Sequence, residues 1–512
     1  MGTGPAGTSA ALALLERGVR VHLLESGAAF ASEAPQGSLL DLRFTSTQQW
    51  RWQLGPAAPS VGAGNVSPKL RVPAFRTLFD GYAQLNQIDA GAGFHLTGAI
   101  AGGGLSNAWG CGVASFDPDE LGALADVAAE MRQSYRRVSQ RVGLSGASDD
   151  ALRDYFGLDQ HSAPALPLDR LHTQLWERRT RLRAGLDLGR ARLAVRAQAS
   201  AGRQGCNQCG LCLWGCARGA MWSAAMDLAA ICAHPLATVE FGAHVTKLEH
   251  TGDATLVHVQ SAHGTRIIRA QKVLLAAGTI ASTRLALAGM KLVNQPIRLQ
   301  SNPMAAFLLF LPRQFGSTRE AASGLAQLSF RLRLQPGAEP CFGNLFSTGA
   351  VPMHEFITRM PLSGRAALPL LRSLLPACIV GNVFFAGARS AHEISVNAAG
   401  RAQISSRQEP SMREGFQQAH AALSRQFRRL GAWLLPGSFV PGAPGADLHY
   451  ASTLPIARHP SSRECSLAGQ LQGLPGVYLL DGASLPRLPA KAHTLTIMAN
   501  ADRIARGLAV DN

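Results

Sequence analysis

Residues 1–26 read MGTGPAGTSAALALLERGVRVHLLES, and the fold is decided here. Gly2, Gly4 and Gly7 have the G-x-G-x-x-G spacing, and Pro5 and Ala6 open an apolar segment that predicts a helix over 6–17. A strand over 19–24 follows and ends at Glu25. Gly2 permits a tight turn, Gly4 lets a pyrophosphate approach the backbone, and Gly7 allows close packing of helix on strand. The helix start then faces the phosphates. Glu25 stands 18 residues beyond Gly7, where a carboxylate can bind ribose hydroxyls. A nucleotide unit of this kind needs a strand before its glycines, yet only Met1 precedes Gly2. The pattern favours a start placed too late, with a modified sheet as the alternative. The fingerprint itself does not separate FAD from NAD, since both carry the ADP half that it recognises.

Outward from this unit, 512 residues leave room for two to four domains. The formal charge of +16 comes from 44 Arg and five Lys scattered along the chain, without the dense basic runs and interleaved aromatics of a nucleic-acid binder. The densest piece, 177–183, reads as a solvated helix face. An uninterrupted run of 18 apolar residues is absent, so no integral membrane segment is expected. A secretory leader is also absent, and a cytoplasmic location is expected, with export alongside a partner subunit as the alternative.

Residues 271–278 form a buried strand running into a glycine turn, with a helix over 280–288. Before it, 244–249, 255–260 and 265–270 read as short antiparallel strands. This order is common in flavoproteins and favours FAD. Strands over 305–311 and 325–334 and a helical stretch over 410–435 suggest a second unit. Phe307, Phe310, Phe384 and Phe385 are candidates for its pocket, although most such aromatics should be core.

Cys206, Cys209, Cys212 and Cys216 have C-x2-C-x2-C-x3-C spacing. The spacing equals a bacterial ferredoxin run and predicts an iron–sulfur cluster, with zinc or free buried thiols as alternatives. The remaining five, Cys111, Cys232, Cys341, Cys378 and Cys465, read as buried small hydrophobes. Near the end, a strand over 477–480 reaches Asp481, and His493 and Thr494 open a helix running to about residue 508. Such a helix start can face an anionic flavin.

Taken together, these segments resemble the glucose–methanol–choline (GMC) oxidoreductase family along nearly the whole chain. The resemblance rests on GTGPAG with Glu25, on GGGLSNAWGCG at 102–112, on VLLAAGTIASTRLAL at 273–287, and on His449-x-x-Ser452-Thr453 with GVYLLDGASLP…AHTLTIMANADRIA. It implies an α/β fold with a doubly wound FAD-binding domain and an antiparallel-sheet plus helix substrate domain. The FAD domain would comprise 1–150, 200–295 and 441–512, with a cysteine loop at 203–222. The substrate domain would comprise 151–199 and 296–440.

The resemblance also implies His449 and His493 as the catalytic pair, 44 residues apart. It places FAD on Gly2, Gly4, Pro5, Ala6, Gly7, Glu25, Ser106, Asn107, Trp109, Val245, Ala277, Asp481, Gly482, His493, Thr494 and Leu495. Ser452 stands where the family has Gly. The cysteines look like those of bacterial FAD-dependent sugar dehydrogenase subunits. That subgroup implies oxidation of a sugar, polyol or other alcohol, with electrons leaving through the cluster to an acceptor protein or quinone. The extra Cys209 favours [4Fe–4S] over [3Fe–4S]. An oxidase using dioxygen, or a non-catalytic electron-transfer subunit, are the competing readings.

Overall fold

Met1 and Gly2 lie between two pairs of parallel strands. On one side Gly2 N–H donates to Leu24 O at 2.9 Å. On the other the Met1 amine donates to Leu274 O at 2.8 Å, and Ala276 N–H donates to Met1 O at 2.9 Å. The flanking pairs are Val21–Glu25 with Ala237–Phe241, and Val273–Leu275 with Val477–Leu479. The place that the nucleotide unit requires for a central strand is therefore held by two residues. The computed structural model describes residues 1–31, 34–55, 67–158, 162–200, 202–407 and 409–509.

The helix Pro5–Leu15 follows the glycines and ends before Gly18, whose φ of +74° turns the chain. Its Ala6, Ala10 and Ala13 bring it close to Ala501 and Ala505 of the C-terminal helix Thr494–Gly507. The three expected strands are present as His244–Thr251, Ala254–Ser261 and Gly264–Ala270, paired antiparallel in sequence order. The expected helix after the glycine turn is Thr279–Gly289.

A second, seven-stranded antiparallel sheet covers the cavity described below. Its path runs Trp433–Leu434, Met304–Phe310, Cys378–Phe384, Cys341–Ser347, Leu328–Leu332 and Leu186–Arg190, with Val440–Pro441 also paired to Met304–Phe310. Side chains alternate between its faces. On the far face Phe307, Leu309, Phe330 and Leu345 pack with Leu423 and Phe427 of the helix Pro410–Arg429. The strand 186–190 joins this sheet from well outside 296–440. No helix of the described residues is long and apolar enough to cross a membrane.

Candidate active site

A cavity of about 1240 Å³ opens between the glycine turn, the loop 102–112 and the antiparallel sheet. Gly2 and Gly7 make its narrow end possible. A Cβ on Gly2 (φ +86°) would lie 2.3 Å from Ala276 O, and one on Gly7 would lie 2.0 Å from Gly2 O. Gly4 faces open space instead, and a side chain there would enter the cavity. Among the described residues neither Pro5–Leu15 nor Thr494–Gly507 carries a side-chain cap. Both helix starts line this one cavity, so two sets of backbone N–H groups are offered to negative charge.

Glu25 is buried at the same edge. Its Oε2 accepts from Thr3 N–H at 3.1 Å and Thr3 Oγ1 at 2.6 Å, while Oε1 accepts from Gly27 N–H at 2.8 Å. Val245 lines the wall just before a bulge that shifts the register between Val245 and Lys247. Asp481 ties the glycine turn and the helix after it to its own loop. It accepts from Gly278 N–H at 2.9 Å, Ser282 Oγ at 2.5 Å and Ala483 N–H at 3.1 Å.

Pro5, Ala6, Ser106, Trp109, Ala277, Gly482, His493 and Thr494 also border the cavity. Three expected residues lie behind its wall. Gly7 packs on Gly2, and Leu495 is fully buried in the core. Asn107 turns inward, where its Nδ2 donates to Gly102 O at 2.9 Å and shapes the loop.

His449 and His493 meet at the junction of the two halves, with ring centroids 5.0 Å apart and an interplanar angle of 73°. Phe384 of the sheet lies 5.3 Å from the His449 ring. His449 Nδ1 is 3.1 Å from Asn302 Oδ1. The amide is fixed in turn, because Asn302 Nδ2 donates to Phe385 O at 2.8 Å and Pro489 O at 3.0 Å. Its oxygen can only accept, so the His449 proton sits on Nδ1 and the Nε2 lone pair is free.

Asp447 braces both partners, its Oδ2 accepting from Asn302 N–H at 2.7 Å and His449 N–H at 3.1 Å. Leu448, between Asp447 and His449, has a φ of +65°. Strain of this kind in a bulky residue is held in place by its surroundings and clusters at functional sites. Burial pushes His449 down to about 4, and burial with the neighbouring His449 takes His493 well below its ordinary range. Burial thus favours the neutral form of both rings. His493 Nδ1 is buried and has no hydrogen-bond partner among the described residues.

Sequence reading missed Asn302 and Asp447. Asp447 stands two residues before His449, but Asn302 is 147 residues away and no motif marks it. Of the four candidate aromatics, Phe384 and Phe307 border the cavity, whereas Phe385 is core and Phe310 is not part of the lining. Cys232 is exposed rather than buried.

The cysteine loop corrects the largest expectation. Among the described residues, no group of three or more His, Cys, Asp or Glu is arranged to hold a metal ion. This removes the iron–sulfur cluster, in either [4Fe–4S] or [3Fe–4S] form, together with the zinc alternative. The four thiols lie near one another yet pack into two apolar clusters. Cys206, Cys212 and Cys216 pack on the main core, whereas Cys209 packs with Leu211 and Trp214 in a separate apolar cluster. Cys206 Sγ accepts from Gln208 N–H at 3.4 Å. Burial raises the pKa of Cys206 and Cys209 and pushes Cys212 up to about 12, and the neighbouring cysteines add to each rise.

Residues 131–290 match the family model described as GMC oxidoreductase. The fold is similar to pyridoxine 4-oxidase from Mesorbium loti, with a TM-score of 0.61 and 16% identity over 99% of this chain and 97% of that one. It is also similar to a formate oxidase of Aspergillus oryzae RIB40, in a structure concerned with FAD modification, with a TM-score of 0.61 and 14% identity over 98% and 96%. At these identities the likeness is one of fold. No curated protein matches the chain. The matches do not single out the cysteine-bearing dehydrogenase subgroup. The GMC oxidoreductase family match thus covers residues 131–290, and over nearly the whole chain the α/β fold is similar to those of the two oxidases.

Proposed function

We propose that the protein oxidises a CH–OH group with FAD as its cofactor and dioxygen as the final acceptor. The observation that carries this reading is the fixed tautomer of His449, which leaves its Nε2 lone pair free on a ring 5.0 Å from that of His493, beside the Thr494 helix start. The residues fit the cofactor. The cavity is large enough for a dinucleotide, two uncapped helix starts line it, and Gly4 leaves its approach open. Gly2, Gly4, Pro5 and Ala6 would hold the pyrophosphate and Glu25 the ribose. Val245 would meet the adenine, and Ser106, Trp109, Ala277, Asp481, Gly482, His493 and Thr494 would surround the flavin.

Bound there, FAD supplies the two-electron acceptor for the carbinol hydride and returns the pair to dioxygen. His449 Nε2 takes the hydroxyl proton as the carbinol becomes a carbonyl. A neutral imidazole suits that role, and burial keeps it neutral. His493 holds the same oxygen. The N–H groups of the Thr494 helix start stabilise negative charge that gathers at the cavity wall. Segments 1–150, 200–295 and 441–512 form the cofactor half of this reading, and 151–199 with 296–440 the substrate half.

Dioxygen is favoured as acceptor because both structural relatives named above are oxidases. An acceptor protein or quinone was expected from the cluster and loses that motive with it. Two measurements test the reading. Denaturation should release FAD, identified by mass, and turnover of an alcohol should consume dioxygen and release one hydrogen peroxide per carbonyl formed. A nicotinamide in the released fraction, or flavin reduced by alcohol yet indifferent to dioxygen, would overturn it.

A further inference from the structure

The cavity-facing side of the antiparallel sheet is laid out in three rows, fixed by strand register. The row nearest His449 is Met304, Phe384 and Phe342. The next is Ala306, Asn382, Asn344 and Ser329. The deepest is Leu308, Val380 and Phe346. All ten residues border the cavity. Successive same-face residues on a strand are roughly 7 Å apart, so the middle row lies ~7 Å and the deepest row ~14 Å beyond Phe384. Met360, Leu371 and Leu374 also line the cavity and add to its apolar character.

The middle row is an ordered polar band. Ser329 Oγ donates to Asn344 Oδ1 at 2.8 Å, and Asn344 N–H donates to Asn382 Oδ1 at 2.9 Å. These bonds leave the Asn382 Nδ2 donor without a protein partner among the described residues. Two other polar side chains of the lining are committed. Glu355 is paired with Arg71 at 2.7 Å, and Ser438 Oγ donates to Leu435 O at 2.7 Å.

We infer that the substrate is an elongated, mostly apolar alcohol carrying one hydrogen-bond acceptor ~7 Å beyond its reacting end, rather than a sugar or polyol. This rests on the alcohol-oxidising reading above. An apolar segment would cross Phe384 and Phe342, a carbonyl or ether oxygen would meet Asn382 Nδ2, and an apolar tail would reach Val380 and Phe346. A sugar carries a hydroxyl on nearly every carbon, and the first and third rows offer those hydroxyls no partner.

The test uses the purified holoenzyme with 1-butanol to 1-decanol, methyl 6-hydroxyhexanoate, glucose and sorbitol as probes. Binding is measured by calorimetry and flavin reduction anaerobically. Affinity should rise roughly fourfold per methylene along the alkanols until the deepest row is filled. Asn382→Leu should weaken the ester roughly tenfold and leave octanol unchanged or tighter, a split that general misfolding would not produce. Phe346→Ser should weaken octanol while sparing butanol. Reduction by glucose or sorbitol but not by the apolar alcohols would overturn the inference and leave the proposed function standing. Apolar alcohols that bind with this pattern but never reduce the flavin would sink the proposed function and leave the substrate class standing. Failure of every probe to bind would overturn the inference.

Discussion

Asn302 Oδ1 lies 3.1 Å from His449 Nδ1, joining the segment that leads into the strand Met304–Phe310 to the C-terminal segment. Both Asn302 amide hydrogens are spent on backbone carbonyls, so the amide cannot turn to offer a donor. Asn302 is therefore a positioning residue that sets the tautomer. Asn302→Ala should slow anaerobic flavin reduction roughly 10–100-fold, the range for removing an orienting partner of a functional imidazole. FAD content should not change. Asn302→Asp provides the stricter check. A carboxylate at this distance favours the imidazolium, so the acid limb of the reduction profile should move up from about 4. A merely structural Asn302 would lower stability in both variants without moving that limb.

The pH dependence of stability has two opposed sources. His449 is pushed from its ordinary 6.5 down to about 4 by burial. Between those values the unfolded chain binds a proton that the native state refuses, so stability falls as pH drops through that window. His493 acts in the same direction. Asp447 is pushed by burial from 3.8 up to about 7, with the backbone N–H groups of Asn302 and His449 pulling it back. There the native state keeps a proton that the unfolded chain has released, and stability is lost as pH rises toward 7. The contributions offset one another between pH 4 and 6.5. Asp447→Asn removes one of them and keeps an acceptor for both N–H groups. Its urea midpoint should therefore climb with pH across that window more steeply than that of the parent protein. A parallel dependence would show that Asp447 is ionised in the native state.

The parts legible in the sequence are those where local geometry and function impose the same residues. Gly2 and Gly7 could be read because each stands where a Cβ would strike backbone. The helices Pro5–Leu15 and Thr494–Gly507 were legible for the same reason, with ends off by one or two residues. The cysteines misled because spacing fixes how far a chain can reach, not where its side chains point. Gln208, at a φ of +57°, turns the chain between Cys206 and Cys209, and the thiols near one another there pack into apolar clusters. The polar band did leave a trace. Gly343-Asn344 and Gly381-Asn382 repeat inside two apolar strands, and each glycine makes room for a ring, Phe330 over Gly343 and Phe307 over Gly381. Asn302 left no such trace, because its role comes from tertiary contacts alone.

The cysteine reading has its own measurement. With no metal group in the described residues, Cys209→Ser and Cys216→Ser should leave alcohol-dependent dioxygen consumption within about twofold of the parent, since surface-near substitutions away from a network cost little. The visible spectrum should remain that of flavin alone. Iron and acid-labile sulfide in anaerobically prepared protein would contradict the observed loop.

Ser452 occupies a backbone position better suited to glycine. Its φ is +61°, and its buried Oγ has no hydrogen-bond partner among the described residues. Left-handed geometry costs a side chain about 1–2 kcal/mol. The greater freedom of glycine in the unfolded chain returns about 0.5–1 kcal/mol of that. Ser452→Gly should therefore stabilise the protein by about 1 kcal/mol, read as a higher urea midpoint. Ser452→Ala keeps the strained backbone and should gain less. A larger gain from alanine would assign the effect to the hydroxyl rather than to the backbone.

The two histidines should not be equivalent. His449 has its Nδ1 proton pinned by Asn302, so its free nitrogen is a ready base. His493 has a buried Nδ1 with no partner among the described residues, and nothing there fixes its tautomer. A group in that state can hold an oxygen but is poorly prepared to take a proton on demand. His449→Ala should cut flavin reduction roughly 10²–10⁴-fold, the range for removing a positioned base. His493→Asn should keep a substantial fraction of the rate, because an amide can still hold the alcohol oxygen. His493→Ala should fall between them. Anaerobic stopped-flow reduction, normalised to bound FAD, separates these outcomes from loss of cofactor. Equal damage in His449→Ala and His493→Asn would make the base shared or misassigned. Unslowed reduction in both, at full FAD content, would leave the ring pair as core packing.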